Sequence, residues 1–248
     1  MSNFKCFFVN DLKKLVEYRI LHLIIILTLL FSATMAFFPS INPANIVYVS
    51  IFIVPVILFS ISMYIEKEEN TLLPLLYAPC KTITIVFSKI ASALVMSSIP
   101  LFAYSLVFGL ILRIDINYLY FALAYFLGVT LHIIIGLALS IISKSSKILS
   151  TNYIVYIIVF SLIPIFYNNG LVPLSFQYYL IISPAFLSGL LIDNILVGVA
   201  FSSAWWIFLT IILQIIYVII LTAFVILPYF KSYLLSVDTQ ELVKRGKK

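Results

Sequence analysis

ILHLIIILTLLFSATMAFF, residues Ile20–Phe38, runs without one aspartate, glutamate, lysine or arginine. At about 1.5 Å per residue, a helix over this stretch is close to the ~30 Å hydrocarbon thickness of a bilayer. Outward from it, five further runs read the same way: Ile46–Ile65, Ile83–Leu112, Leu119–Ile142, Thr151–Phe166 and Ala204–Leu227. The third is too long for one straight crossing, so it tilts or begins at the interface. Over all 248 residues, 64% are hydrophobic and only 10% charged, with a mean hydropathy of +1.20. A soluble domain carries about 25% charged residues. The expected fold is therefore one all-α integral membrane domain, residues 1–248, with six transmembrane helices.

A seventh apolar run, Leu171–Ala200, is broken by Pro173, Pro184 and Gly189 and by Ser175, Gln177, Ser183, Asp193 and Asn194. It reads as a re-entrant or interfacial segment before the sixth span; a packed cap outside the membrane is the other reading. Irregular backbone at membrane depth persists only where protein buries it or a cavity is lined. Pro173 and Pro184 are accordingly candidate gating residues.

Basic residues set the orientation. Lys5, Lys13, Lys14 and Arg19 precede span one, and Lys67, Lys81 and Lys89 are assigned between spans two and three. Lys144 and Lys147 separate spans four and five. Lys231, Lys244, Arg245, Lys247 and Lys248 follow span six, and Arg113 alone falls on the opposite side. Six spans with both termini cytoplasmic satisfy these loops, placing the chain in the cell membrane. The net charge of +6 is then topology plus contact with membrane lipid. Scattered basic residues with no aromatic interleaving argue against nucleic acid. Cys6 and Cys80 share the reducing side, where a structural disulfide is not expected.

Before span one, Phe4, Phe8, Leu12 and Leu15 recur at helical spacing among charged neighbours. This predicts an amphipathic helix in the membrane interface. Thr34-Met35-Ala36 resembles a signal-peptidase site, but the long segment ahead of it mixes acids with bases, unlike a signal peptide.

The loop after span two reads Glu66-Lys67-Glu68-Glu69-Asn70-Thr71-Leu72-Leu73-Pro74-Leu75-Leu76-Tyr77-Ala78-Pro79. Asn70 or Thr71 is a helix N-cap candidate, and Pro74 then falls in the first turn, where its missing N–H costs little. Leu72, Leu75, Leu76 and Tyr77 give a short helix with an apolar face, and Pro79 ends it. Such a face either docks in a partner's groove or folds back onto the bilayer.

These residues resemble the ABC-2 type permeases, the membrane subunits of ATP-driven exporters. In that family the second span commonly ends in a stretch such as E-[KR]-E-x-G-T-L-E-x-L-x-x-x-P. Glu66-Lys67-Glu68, Thr71-Leu72, Leu75 or Leu76, and Pro79 match, whereas Asn70 replaces the usual Gly and Pro74 stands at or beside the second acid. The compact size and Ile182-Ser183-Pro184-Ala185 are most similar to the permeases of fluoroquinolone-export systems. The resemblance implies a permease subunit that moves an amphipathic drug, peptide or lipid outward and does no chemistry itself. It implies a second permease copy or related chain and two separate ATPase subunits that carry the ATP and Mg. Glu66, Glu68, Thr71, Leu72, Leu75, Leu76 and Pro79 would couple to the ATPase through a cytoplasmic helix.

The residues themselves are consistent with that division of labour. The chain has no GxxxxGK[ST] phosphate loop. Glu68-Glu69 lacks the arginine of an EExxxR protease, since Leu73 stands there. With only His22 and His132, no metal site assembles. No catalytic, cofactor-binding or metal-ligating set is expected. His132, halfway along span four, is a helix–helix hydrogen-bonding residue or a pathway contact. Gln214 in span six reads as interhelical glue. No carboxylate is read well inside a span, which weighs against an ion- or proton-coupled carrier. That carrier and a non-transporting immunity or scaffold protein remain the alternatives.

Overall fold

The computed structural model describes residues 2–38, 40–69, 71–77, 80–143, 145–168, 170–198 and 204–233. Among these residues the chain is all-helical, in the order α1 (Ser2–Glu17), α2 (Ile20–Phe37), α3 (Pro43–Glu68), α4 (Leu73–Leu76), α5 (Thr82–Leu112), α6 (Tyr118–Ile142), α7 (Ser146–Tyr167), α8 (Gln177–Leu180), α9 (Pro184–Leu196) and α10 (Trp205–Tyr233). Six of them (α2, α3, α5, α6, α7 and α10) are long and apolar enough to cross a membrane. They coincide, to within six residues at each end, with the six runs read from the sequence.

Local chemistry sets the helix starts. Asn42 accepts from the Ala44 N–H with Pro43 at the first helical position, and Asn117 accepts from Leu119 and Tyr120. Ser145 and Ser183 cap α7 and α9 in the same way, Pro184 opening α9. Each cap satisfies N–H groups that the first turn leaves unpaired. Arg19 (φ 60°) and Arg113 (φ 52°) adopt left-handed backbone. Arg19 separates α1 from α2, and Arg113 stops α5. Wide π turns interrupt α3 at Val54–Leu58, α5 at Val107–Leu112, α7 at Ile157–Leu162 and α10 at Leu221–Ile226. In α3 the interruption coincides with Pro55, whose missing N–H breaks the regular ladder.

Two of the long helices form the centre. Over their most apolar windows, α3 is 78% buried and α6 67%, against 17% for α10. Their contact is close because Gly136 has no side chain. A Cβ there would lie 2.9 Å from Ser60 Oγ and 3.0 Å from the Val56 carbonyl. Ser60 Oγ donates to the Gly136 carbonyl at 2.8 Å, and Ser140 Oγ donates to the Ser60 carbonyl at 3.2 Å. The outer helices instead turn Leu29, Phe102, Leu110, Phe208 and Phe224 outward. A protein whose exterior is this apolar is stable with lipid, not water, around it.

The segment before the sixth long helix is ordered around α9. At thirteen residues, α9 is about 20 Å long, short of a full crossing. It packs against α3, α6 and α10, and its Gly189 lets the Tyr48 ring approach to 2.8 Å of a would-be Cβ. Ser188 touches Gly128, near the middle of α6. This helix is therefore packed against three of the long ones.

Candidate functional site

The loop from α3 to α5 is held from beneath by charge. Glu66, in the last turn of α3, accepts from Lys89 Nζ at 2.8 and 3.0 Å and from Lys14 Nζ at 2.9 Å. Lys89 Nζ also donates to Asp11 Oδ1 at 3.1 Å, and Ser88 Oγ donates to Asp11 Oδ2. Lys89 is only 2% exposed, Glu66 4% and Asp11 8%. Two lysines and two carboxylates balance, so each buried charge has a counter-charge and hydrogen bonds. The network ties α1, α3 and α5 together at one end of the bundle.

The sequence reading placed Lys89 in the loop; the structure puts it two turns inside α5. A lysine near one end of a long apolar run reads as an interfacial residue, and its partners lie too far along the chain for any local spacing to show them. Glu66, expected to face a partner subunit, turns inward to Lys89 and Lys14. Glu68 stays exposed. Beside it, Tyr18 donates to Glu69 Oε2 at 2.7 Å. Burial pushes the Tyr18 phenol up to about 12, the Glu69 carboxylate acting in the same direction against an opposing bond with Thr71. The phenol therefore remains a donor at neutral pH.

Thr71 does not cap the following helix. Its N–H and hydroxyl both donate to the Glu66 carbonyl, at 3.0 and 3.2 Å, closing the end of α3. With that hydroxyl turned back, α4 shrinks to the single turn Leu73–Leu76, started by Leu72 without a side-chain cap. Pro74 does lie in its first turn. Leu72 is fully buried and Leu75 packs against the main core, so both face the bundle. Pro74 and Tyr77 face outward, and Tyr77 is 79% exposed. The sequence reading put Tyr77 on one apolar face with Leu72 and Leu75; the structure turns it away from them, and it is the aromatic that this turn presents. Asn70, Ala78 and Pro79, and the side chain of Leu76, lie outside the described residues.

The other candidate residues lie apart from this loop. Pro173 is exposed just ahead of a 3₁₀ turn at Leu174–Phe176, whereas Pro184 is buried at the start of α9. His132 is fully buried in α6. Its Nδ1 bonds the Gly128 carbonyl of its own helix at 2.7 Å, not a neighbouring helix. A carbonyl only accepts, so Nδ1 carries the proton and Nε2 is left as an acceptor. Nε2 has no hydrogen-bond partner among the described residues, and the Tyr156 ring stands edge-on with centroids 6.2 Å apart. Gln214 accepts from Ser188 Oγ at 3.3 Å, joining α10 to α9. No group of three or more His, Cys, Asp or Glu is arranged to hold a metal ion among the described residues.

Comparison of the chain with protein-family models, with curated proteins and with solved structures finds no significant match.

Proposed function

We propose that this chain is the membrane-spanning permease subunit of an ABC-2 type exporter, driven by ATP hydrolysed on separate subunits. The observation that carries the reading is the clamped loop between the second and third long helices. Its inner side chains, Leu72 and Leu75, are packed into the bundle, its start is bonded to the end of α3, and Tyr77 projects outward. A push on such a loop passes directly into two long helices, since packed elements shift as rigid bodies. A loosely tethered loop would absorb it. The motif Glu66-Lys67-Glu68 followed by Thr71-Leu72 supports the same reading by its resemblance to that family.

In this account the two ends of the motif have different work. Glu66, Thr71, Leu72 and Leu75 hold the loop in place. Glu68, Tyr77 and the residues up to Pro79 meet the ATPase on the cytoplasmic side. The substrate is an amphipathic drug, peptide or lipid, taken up by a pair of permease chains. α1 lies in the interface, and α9 re-enters from the outer side, where movement about Pro173 and Pro184 opens the exit. A carrier powered by protons is the second reading, and His132 is its one structural support.

Reconstitution with the ATPase into vesicles tests the proposal. Tyr77→Asp is expected to reduce ATP-driven transport to background while leaving thermal unfolding unchanged, because the side chain is exposed. Unaltered transport in that variant would remove the loop from the coupling role.

A further inference from the structure

At the end of the bundle where α3 and α6 terminate, a groove of about 500 Å³ opens to the outside. Ile141, Ile142 and Val225 form apolar wall, and Tyr229 and Tyr233 flank it on α10. This volume lies within the roughly 300–1,000 Å³ common for small-ligand sites. Among the described residues that line the groove, Lys67 alone carries a charge at neutral pH, and it is 6% exposed. Its ammonium lies 4.7 Å from the centroid of the Tyr233 ring, and the Tyr233 hydroxyl is anchored on the Met63 carbonyl at 3.1 Å.

Among the described residues no carboxylate pairs with Lys67: the ion pairs involve Lys14 and Lys89, and none stands within 4.0 Å of Lys67 Nζ. Glu66, next in sequence, is already shared by those two lysines, and Glu69 accepts from Tyr18. An aromatic face offsets part of the desolvation of a buried ammonium, but it supplies no counter-ion. A single anion entering the groove would complete the site.

We propose that this groove binds the phosphodiester headgroup of an anionic phospholipid, with Lys67 as the charge that selects it. The position decides between a lipid and a soluble anion. Ile142 ends α6 and Lys67 lies in the final turn of α3, so the groove sits where these helices leave the hydrocarbon. Ile142 and Tyr229 are exposed on its rim, giving the first acyl methylenes an apolar surface. Ser143 and Ser232 add hydroxyls to its lining. A lipid reaches such a groove laterally, headgroup against the lysine and chains along the helices. This inference requires only that the long apolar helices cross a membrane, and it stands apart from the exporter reading.

Native mass spectrometry of the full chain tests it, with phosphatidylglycerol and phosphatidylcholine of identical acyl chains as probes. The wild type is expected to hold phosphatidylglycerol about fivefold more than phosphatidylcholine, the selectivity of roughly one lysine–headgroup contact. Lys67→Gln should erase that preference and Lys67→Arg should keep it. Ile142→Trp, at an exposed position, should lose the phosphatidylglycerol adduct by filling the groove without touching the charge. Equal retention of both lipids by the wild type overturns the proposal. An undiminished preference in Lys67→Gln, or in Ile142→Trp should the glutamine variant not fold, overturns it as well.

Discussion

Lys89 sits between Asp11 and Glu66, and its removal would strand charge rather than merely delete a contact. Lys14 would remain as the single cation facing two buried carboxylates. Breaking a buried pair by losing one partner costs about 3–5 kcal/mol. Lys89→Met is therefore expected to destabilise the chain by about that amount in denaturant unfolding in detergent. Combining it with Asp11→Asn should recover part of the loss, because one stranded charge is then gone. If Lys89→Met unfolds like the wild type, the network contributes no net stability. Composition and hydropathy identified Lys89 as basic and Ile83–Leu112 as apolar, but nothing local to position 89 showed its burial. Its carboxylate partners lie 78 and 23 positions away. Lys67 is a similar case: its aromatic contact, Tyr233, lies on the last long helix.

At the scale of elements, hydrophobic runs foretold the long helices because lipid rewards the same apolar content along the whole of a span. They did not foretell which helices would be central. That depends on small residues permitting close approach, as Gly136 does for α3 and α6. Gly136→Val would press methyl groups toward the Val56 carbonyl, part of a backbone that cannot rotate away. Overpacking of this kind costs about 1–3 kcal/mol, and the variant should melt earlier in a thermal-shift assay in detergent. An unchanged melting temperature would mean that the two helices part freely there. The loop helix shows the opposite limit of sequence reading. Its proline was correctly placed in the first turn, but Thr71 spends its hydroxyl on the Glu66 carbonyl. A cap residue serves whichever helix end it reaches, and sequence spacing alone did not distinguish the end of α3 from the start of α4.

At the scale of the whole molecule, charge and apolarity divide the bundle. One end gathers α1, the Lys89 network, the Tyr77 turn and the Lys67 groove. The flanks are apolar, and the middle holds the polar contacts of Ser60, Gln214 and His132. In the exporter account this division becomes mechanism. The charged end receives force at Tyr77 and is kept from shearing by Asp11, Lys89 and Glu66. The π turns are the places where the regular hydrogen-bond ladder of α3, α5, α7 and α10 is interrupted. Amphipathic cargo would then cross at the surface between two copies of the chain, leaving the packed core of α3 and α6 intact.

The central claim is that the motor is a separate polypeptide. Its most direct test is to purify the tagged full chain from its own membrane in mild detergent, with crosslinker and nucleotide, and to identify and count what accompanies it. The account predicts a soluble ATPase bearing a phosphate-binding loop at one copy per copy of this chain, retained by the wild type and lost from Tyr77→Asp. Recovery of the chain with no nucleotide-hydrolysing subunit would contradict the account.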